Sequence, residues 1–195
     1  MTIKYIYHTT LEDELYHFLK NNIKKKIPHN NLLAGNIKEE YLIDDLIPKV
    51  EPFLLKNISN SEDLMNYFKA MNYLSEDRPM YLDHLWVNFM KKHEFNPLHT
   101  HKGIFSFVIF MEMPFLYSEQ VNVGPGKTSN APKAGCLEFI HIDELGKLQN
   151  ITLGVDKTWE KKCLIFPADL NHLVYPFYKT NKYRITISGN FKFKV

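Results

Sequence analysis

The sequence predicts an α+β fold in which a mainly helical segment, residues 1–79, is followed by a sheet segment, residues 80–195. Apolar residues recur at helical spacing in the first segment. From about Met80 the apolar period changes to two, and aromatic and β-branched residues gather between turn-forming residues. A chain of 195 residues fits one principal core. We therefore expect a single domain, 1–195, in which helices support a sheet.

Helices are predicted where a capping residue precedes an amphipathic run. Thr10 provides a hydroxyl three residues before an acidic residue, which predicts a helix over about 10–25. Ser61 gives the same signal for a second helix near the end of the segment. A third helix is predicted over 46–56, although it contains two prolines.

Six strands are predicted in the second segment. Residues 104–110 are apolar on both faces, so this strand should lie centrally, with the N-terminal helices covering one side. The predicted strands are 81–90, 104–113, 135–142, 162–166, 172–175 and 183–193.

Composition and charge exclude several classes of protein. A formal net charge of +2 without a clustered basic field does not indicate a nucleic-acid partner. No apolar stretch is long enough to cross a bilayer, and the N-terminus lacks a basic region followed by a long apolar one. Cys136 and Cys163 are isolated and are expected to be reduced packing residues. We therefore expect a cytoplasmic protein of unknown oligomeric state.

Three histidines are candidates for a metal site. His99 and His101 stand two residues apart in an extended segment, so their side chains project to the same side, roughly 6.5 Å apart. His172, on a later strand, could complete the site. For the first pair alone, a metal site and a polar loop are equally good interpretations. Imidazole binds iron, zinc, copper and nickel alike, so the ligand type does not select the metal.

Arg184 follows His172 by twelve residues and shares one strand face with Thr186 and Ser188. The simpler interpretation is the solvent-facing side of an edge strand. A guanidinium, however, holds a carboxylate through two parallel hydrogen bonds, which an ammonium cannot do. The chain contains only one other arginine, Arg78, so the placement of Arg184 is informative.

Several short segments between residues 81 and 191 follow one another in a recognisable order. They are Trp86-Val87-Asn88, His99-Thr100-His101, Ser106, Phe166-Pro167 with His172, Pro176, and Arg184-Ile185-Thr186-Ile187-Ser188 with Asn190. Together they resemble a family of 2-oxoglutarate- and iron(II)-dependent oxygenases of phages and marine bacteria, which is similar to the prolyl hydroxylases. The resemblance implies a double-stranded β-helix (a jelly-roll, cupin-like fold) with N-terminal helices packed on one sheet. It also implies the host cytoplasm as location if a phage encodes the chain.

The resemblance implies that His99 and His172 are iron ligands. His101 stands where the wider superfamily has a carboxylate, and by likeness to a His-x-His subgroup it is expected to be the third ligand. Asp169 and Glu112 are acids nearby in sequence, but neither occupies the expected position. Whether His101 or a carboxylate completes the site is left open by the sequence.

The resemblance also implies a place for the co-substrate. Arg184, with Thr186 or Ser188, would hold the distal carboxylate of 2-oxoglutarate. Asn88 would point into the barrel towards the co-substrate, and a buried, hydrogen-bonded amide is an equally good interpretation of this residue.

The function implied is that of an iron(II)- and 2-oxoglutarate-dependent dioxygenase, a hydroxylase of an unknown small-molecule or peptidyl substrate. His99, His101, His172 and Arg184 would be its catalytic residues. One alternative is a three-histidine, cupin-like iron dioxygenase without 2-oxoglutarate, which would not need Arg184. A second is a non-catalytic jelly-roll module with a binding or structural role in a virus, since fold alone does not fix function.

Overall fold

Two antiparallel sheets enclose a shared interior in the computed structural model, which describes residues 5–71 and 78–194. The larger sheet has the order β1-β9-β6-β11-β4-β3-β2, and the smaller has the order β5-β10-β7-β8. The strands of the larger sheet are β1 Tyr7–Thr10, β2 Ile27–Pro28, β3 Glu40–Leu42, β4 Met80–Met90, β6 Phe105–Glu112, β9 Lys162–Pro167 and β11 Arg184–Phe193. Those of the smaller sheet are β5 Asn96–His99, β7 Leu137–Ile142, β8 Leu148–Leu153 and β10 Asn171–Val174.

Helices cover the outer face of the larger sheet. The α-helices are α1 Asp13–Asn22, α2 Ile47–Ser59, α3 Glu62–Met71 and the short α4 Tyr117–Gln120, with 3-10 turns at Asn30–Leu32, Asp44–Leu46, Pro125–Thr128 and Lys157–Trp159. Leu19, Leu54 and Leu64 from the first three helices join one buried apolar cluster with Leu85 and Phe107 of the sheet. Burial of these side chains holds the helical layer on the sheet.

The N-terminal segment differs from its prediction in two respects. Thr10 does not cap the first helix, because it pairs with Lys162 in the β1–β9 ladder and stays extended. The helix begins three residues later at Asp13. The segment also supplies three strands to the larger sheet, which the helical prediction missed. The predicted cap at Ser61 is confirmed, since its hydroxyl accepts a hydrogen bond from the backbone N–H of Leu64 at 3.4 Å.

β6, the strand predicted to be central, and β11, the strand that carries Arg184, both lie in the middle of the larger sheet. β6 lies between β9 and β11, and β11 lies between β6 and β4, so neither is an edge strand. Along β11, Ile187 packs towards the helices, whereas Arg184, Thr186 and Ser188 face the space between the sheets. Strand alternation therefore gives β11 one apolar outer face and one polar inner face.

Candidate active site

A cavity of about 60 Å³ lies between the two sheets. Its walls combine three kinds of residues: three histidines at the edge of the smaller sheet, the polar inner face of β11, and the segment that leads into β3. Apolar side chains of β6, β7 and β9 fill the remaining wall. The cavity is thus a polar site inside an otherwise apolar barrel.

The three predicted histidines converge at one end of this cavity. His99 and His172 are direct partners in the β5–β10 ladder, with ring centroids 4.2 Å apart. His101 lies 5.0 Å from His99 and 5.1 Å from His172, again between ring centroids. One ligand atom of each histidine lies within 4.8 Å of the other two. Two neighbouring strands therefore bring together side chains that are far apart in sequence.

Hydrogen bonds fix the orientation of two of the imidazoles. Nδ1 of His99 lies 2.7 Å from the Pro97 carbonyl oxygen, and Nδ1 of His172 lies 2.8 Å from that of Leu170. A carbonyl oxygen only accepts, so Nδ1 carries the proton and donates in both rings. The lone pair is left on Nε2, the arrangement that second-shell contacts give to metal-binding histidines.

The site keeps its imidazoles neutral. Burial, together with the neighbouring imidazole of His99, lowers the pKa of His172 to about 4. Burial, with the charges of the other two histidines, lowers the pKa of His101 to about 3. A neutral imidazole offers a lone pair to a metal ion, so at neutral pH the cluster is in its ligating form.

The nearby acids take part in other contacts. Asp169 accepts a hydrogen bond from the Tyr67 hydroxyl at 3.0 Å, and Glu112 forms an ion pair with Lys20 at 3.1 Å. Within residues 5–71 and 78–194, the three histidines are the group of His, Cys, Asp and Glu side chains close enough to share a metal ion.

Arg184 lies on the inner face of the cavity and is 3% exposed. The solvent-facing, edge-strand interpretation of this residue is therefore wrong. Its Nη1 donates to the Gly135 carbonyl oxygen at 3.2 Å, and in the described part of the chain no carboxylate forms an ion pair with it. Burial lowers the pKa of Arg184 to about 10. A buried cation without a counter-ion is costly, and an anionic ligand would compensate for it.

Thr186 lies on the same wall of the cavity as Arg184, and its hydroxyl can donate a hydrogen bond to a ligand. It accepts a hydrogen bond from Nδ2 of Asn88 at 3.2 Å, which leaves its own proton free to donate. Ser188, two residues further along β11, also lines the cavity. Asn88 is thus a buried, hydrogen-bonded amide that also faces the cavity, and its orientation towards the co-substrate stays a prediction.

Two polar residues of the cavity were not identified from the sequence. Glu40 of β3 is 1% exposed, and its carboxylate accepts one long hydrogen bond, from Nδ2 of Asn30 at 3.4 Å. Asn96 of β5 also lines the cavity, and in the described part of the chain its buried Oδ1 has no hydrogen-bond partner. Glu40 stands in a Lys-Glu-Glu run that is typical of an exposed surface, so only tertiary contacts reveal its burial.

Burial raises the pKa of Glu40 to about 8, and the negative charge of Glu94 adds to this effect. The folded protein therefore holds a proton on Glu40 at a pH where the unfolded chain, near the ordinary value of 4.5, has released it. We expect Glu40 to make the free energy of unfolding fall as pH rises from about 5 to 8, by up to about 1.4 kcal/mol per pH unit.

Urea unfolding of the wild type and of Glu40→Gln across this range measures the effect. The glutamine variant lacks the titrating group, so the stability difference between the two proteins should change with pH. A difference that stays constant from pH 5 to 8 contradicts the assignment of a raised pKa to Glu40.

The cavity geometry defines a class of protein: a double-stranded β-helix with a cluster of three imidazoles facing a buried arginine. Residues 84–190 match the model of the family described as "Putative 2OG-Fe(II) oxygenase". This match covers more than half of the 195 residues, and the chain belongs to that family. No curated protein sequence matches the chain significantly.

Solved structures with little sequence identity share the fold. A prolyl-4-hydroxylase from Pseudomonas putida aligns with TM-score 0.50 and 11% identity over 97% of this chain and 93% of that one. HygX from Streptomyces hygroscopicus, with nickel and 2-oxoglutarate bound, aligns with TM-score 0.51 and 8% identity over 96% and 82%. The chain spans 57% of an oxidoreductase of the 2OG-Fe(II) oxygenase family from Burkholderia pseudomallei, with TM-score 0.42, 13% identity and 72% of this chain covered.

These comparisons confirm the predicted double-stranded β-helix and the 2-oxoglutarate/iron(II) oxygenase family, whereas the phage or marine bacterial origin stays a prediction. Membership of this family favours a 2-oxoglutarate- and iron(II)-dependent oxygenase over the three-histidine enzyme without 2-oxoglutarate and over the non-catalytic viral module. Among the described residues, none of the helices combines the length and the apolar character needed to cross a membrane.

Proposed function

We propose that the protein hydroxylates a C–H bond of a small-molecule or peptidyl substrate in the cavity between its sheets, with His99, His101 and His172 holding iron(II). One observation supports this most strongly: three neutral imidazoles lie within ligand distance of one another in the same cavity as a buried arginine that has no counter-ion among the described residues. We further propose that residues 1–195 form the single domain that carries this activity.

The donor set fits iron(II). Imidazole is a suitable ligand for this ion, and three ligands on one side leave coordination positions open for other molecules. Iron bound there supplies the redox chemistry that activates dioxygen. The carbonyl oxygens of Pro97 and Leu170 keep the rings of His99 and His172 oriented before any metal binds. The protein contributes fixed ligand positions and a low-dielectric cavity.

The opposite wall fits 2-oxoglutarate. Arg184 presents a planar guanidinium that can donate two parallel hydrogen bonds to the distal carboxylate. Thr186, and Ser188 beside it, can add hydroxyl donors from the same strand face. Binding of the carboxylate would remove the electrostatic cost of the buried arginine charge. The co-substrate would thus be held at its far end by β11, with its 2-oxo acid end directed towards the histidines.

We also propose a cytoplasmic location. Cys136 and Cys163 are both buried and unpaired, as is usual where thiols are kept reduced.

Anaerobic titration of the purified protein tests the proposed function. Iron(II) is added first and 2-oxoglutarate second, and we expect a visible charge-transfer absorption band that appears only with both. Succinate serves as the matched control, because it has the same distal carboxylate but lacks the 2-oxo group that chelates iron. The absence of a band with 2-oxoglutarate would overturn the proposal.

A further inference from the structure

Side-chain oxygen atoms with few or no hydrogen-bond donors lie together in one part of the cavity. Glu40, Asn88 and Asn96 line this part together with Gly35, and we call these four residues the Glu40 niche. Glu40 and Asn88 are direct partners in the β3–β4 ladder, and their side chains face the same cavity. Asn96 reaches the niche from the edge strand of the smaller sheet. The niche therefore lies where the edges of the two sheets approach each other.

Within residues 5–71 and 78–194, two amide oxygens of the niche lack a hydrogen-bond donor, and the carboxyl group of Glu40 lacks a cationic partner. The side-chain Oδ1 atoms of Asn88 and Asn96 are buried without a hydrogen-bond partner, and Asn88 as a whole is 6% exposed. Glu40 is 1% exposed, and among the described residues no lysine or arginine forms an ion pair with it. Buried acceptors are normally satisfied, so a cluster of unsatisfied ones indicates a missing donor.

Gly35 keeps the niche open. A Cβ atom at this position would lie 2.7 Å from Oε1 of Glu40 and 2.9 Å from Oδ1 of Asn96. Both oxygens thus approach the Gly35 backbone more closely than any side chain there would allow. The backbone hydrogen bond from Asn36 to the Phe95 carbonyl oxygen, 2.9 Å long, holds this segment against the start of β5. The niche is consequently a fixed feature of the fold.

The electrostatics of the niche favour a cation. The negative charge of Glu94 raises the pKa of Glu40 and so opposes ionisation of Glu40. An ammonium or guanidinium group would supply the donors that the amide oxygens lack, and its positive charge would favour the ionised form of Glu40, which holds a proton in the free protein. Arg184 faces the same cavity but is assigned to the co-substrate carboxylate, so one cavity would contain complementary sites for an anion and a cation.

We propose that the Glu40 niche binds a cationic nitrogen group of the substrate, so that the enzyme acts on an amine- or guanidine-bearing molecule. This inference rests on the proposed function, because it names the substrate class of the same cavity. Glu40 would form the charge-assisted contact, and the oxygens of Asn88 and Asn96 would accept the remaining N–H groups. The substrate would be oriented by its charged group, while the carbon to be oxidised lies towards the histidines.

The test uses n-butylammonium as probe and n-butanol as its neutral counterpart. Binding of each is measured by ligand-observed NMR to the wild-type protein loaded with zinc(II), which is redox-inert, and 2-oxoglutarate. We expect n-butylammonium to bind about ten- to a hundredfold more tightly than n-butanol, as a charge-assisted hydrogen bond predicts. Equal affinity, or no binding of the cation, overturns the proposal.

Two variants locate the binding. Glu40→Gln keeps the shape but removes the ionisable carboxyl group, and Gly35→Ala keeps this group but places a methyl group close to the side-chain oxygens of Glu40 and Asn96. Both should lose the preference for the cation, whereas Glu144→Gln, which changes an exposed carboxylate of the β7–β8 turn, should keep it. A preference that survives both niche variants overturns the assignment to the niche.

The same samples separate this inference from the proposed function. Zinc(II) and 2-oxoglutarate binding are measured in each protein and should be unchanged in Glu40→Gln. A wild type that fails to bind 2-oxoglutarate contradicts the proposed function, whereas one that binds it but shows no cation preference contradicts the inference alone.

A peptide with one central lysine, compared with n-butylammonium, shows whether the cationic group belongs to a peptidyl substrate or to a small molecule. Tighter binding of the peptide assigns it to a peptidyl substrate, and the reverse order assigns it to a small molecule.

Discussion

Replacement of His172 by alanine is expected to abolish tight binding of iron(II). His172 is the most buried of the three histidines and lies directly opposite His99 in the β5–β10 ladder. Loss of a contact that only orients a ligand costs about ten- to a hundredfold in metal affinity, so removal of a ligand itself should cost at least about a hundredfold. His99→Ala should give the same result. Metal analysis after equilibrium dialysis against iron(II) under anaerobic conditions measures both.

His8→Ala is the matched control, because His8 is an exposed histidine on β1 and should not affect metal content. Undiminished iron binding in both His99→Ala and His172→Ala would show that the three-histidine site is wrong. His101→Ala addresses the third ligand. If this variant keeps full affinity, a group other than His101 completes the site.

Replacement of Arg184 by lysine or methionine is expected to weaken 2-oxoglutarate binding by about ten- to a hundredfold and to leave iron binding in place. Hydrogen bonds to charged groups contribute about 1.5–3 kcal/mol, and lysine cannot reproduce the planar, two-pronged contact. His172→Ala should instead lose iron and co-substrate together. Anaerobic titration followed by the charge-transfer band gives both quantities for each variant.

Stability measurements test whether weaker 2-oxoglutarate binding in an arginine variant results from unfolding of the protein. Without its ligand, the protein keeps the charge of Arg184 buried and unpaired, so Arg184→Met should retain or increase the free energy of unfolding. The conservative change Ser188→Thr, which retains the hydroxyl, is a control that should bind 2-oxoglutarate more tightly than either arginine variant. Unchanged 2-oxoglutarate affinity in both arginine variants would remove Arg184 from the site.

The strands that carry the site could be predicted well from the sequence. β6 was predicted over 104–113 and β11 over 183–193, and they span Phe105–Glu112 and Arg184–Phe193. Their alternation and β-branched content are local properties, which tertiary contacts reinforce. The helix predicted over 46–56 is also present, as Ile47–Ser59, and it accommodates Pro52 within its span.

Other strands could not be predicted, because their local signals are weak. β3 has only three residues, Glu40–Leu42, and becomes a strand by pairing with β4. β5 contains Pro97, which removes a backbone donor, and it lies at the edge of the smaller sheet, where proline is tolerated. Thr10 has the local signal of a helix cap, but it is extended because it pairs with β9, a strand some 150 residues away in sequence.

The sequence by itself determined the residue types of the site and their order: a His-x-His pair, a later histidine, and an arginine followed by hydroxyls at alternate positions. These features are local, because strand alternation places residues two apart on one face. Only the tertiary structure decided that His172 lies opposite His99, that Arg184 is buried in a central strand, and that Glu40 shares their cavity. Burial and pairing depend on strands far apart in the chain. Glu40 therefore lies in the interior, although its sequence neighbours are typical of an exposed surface.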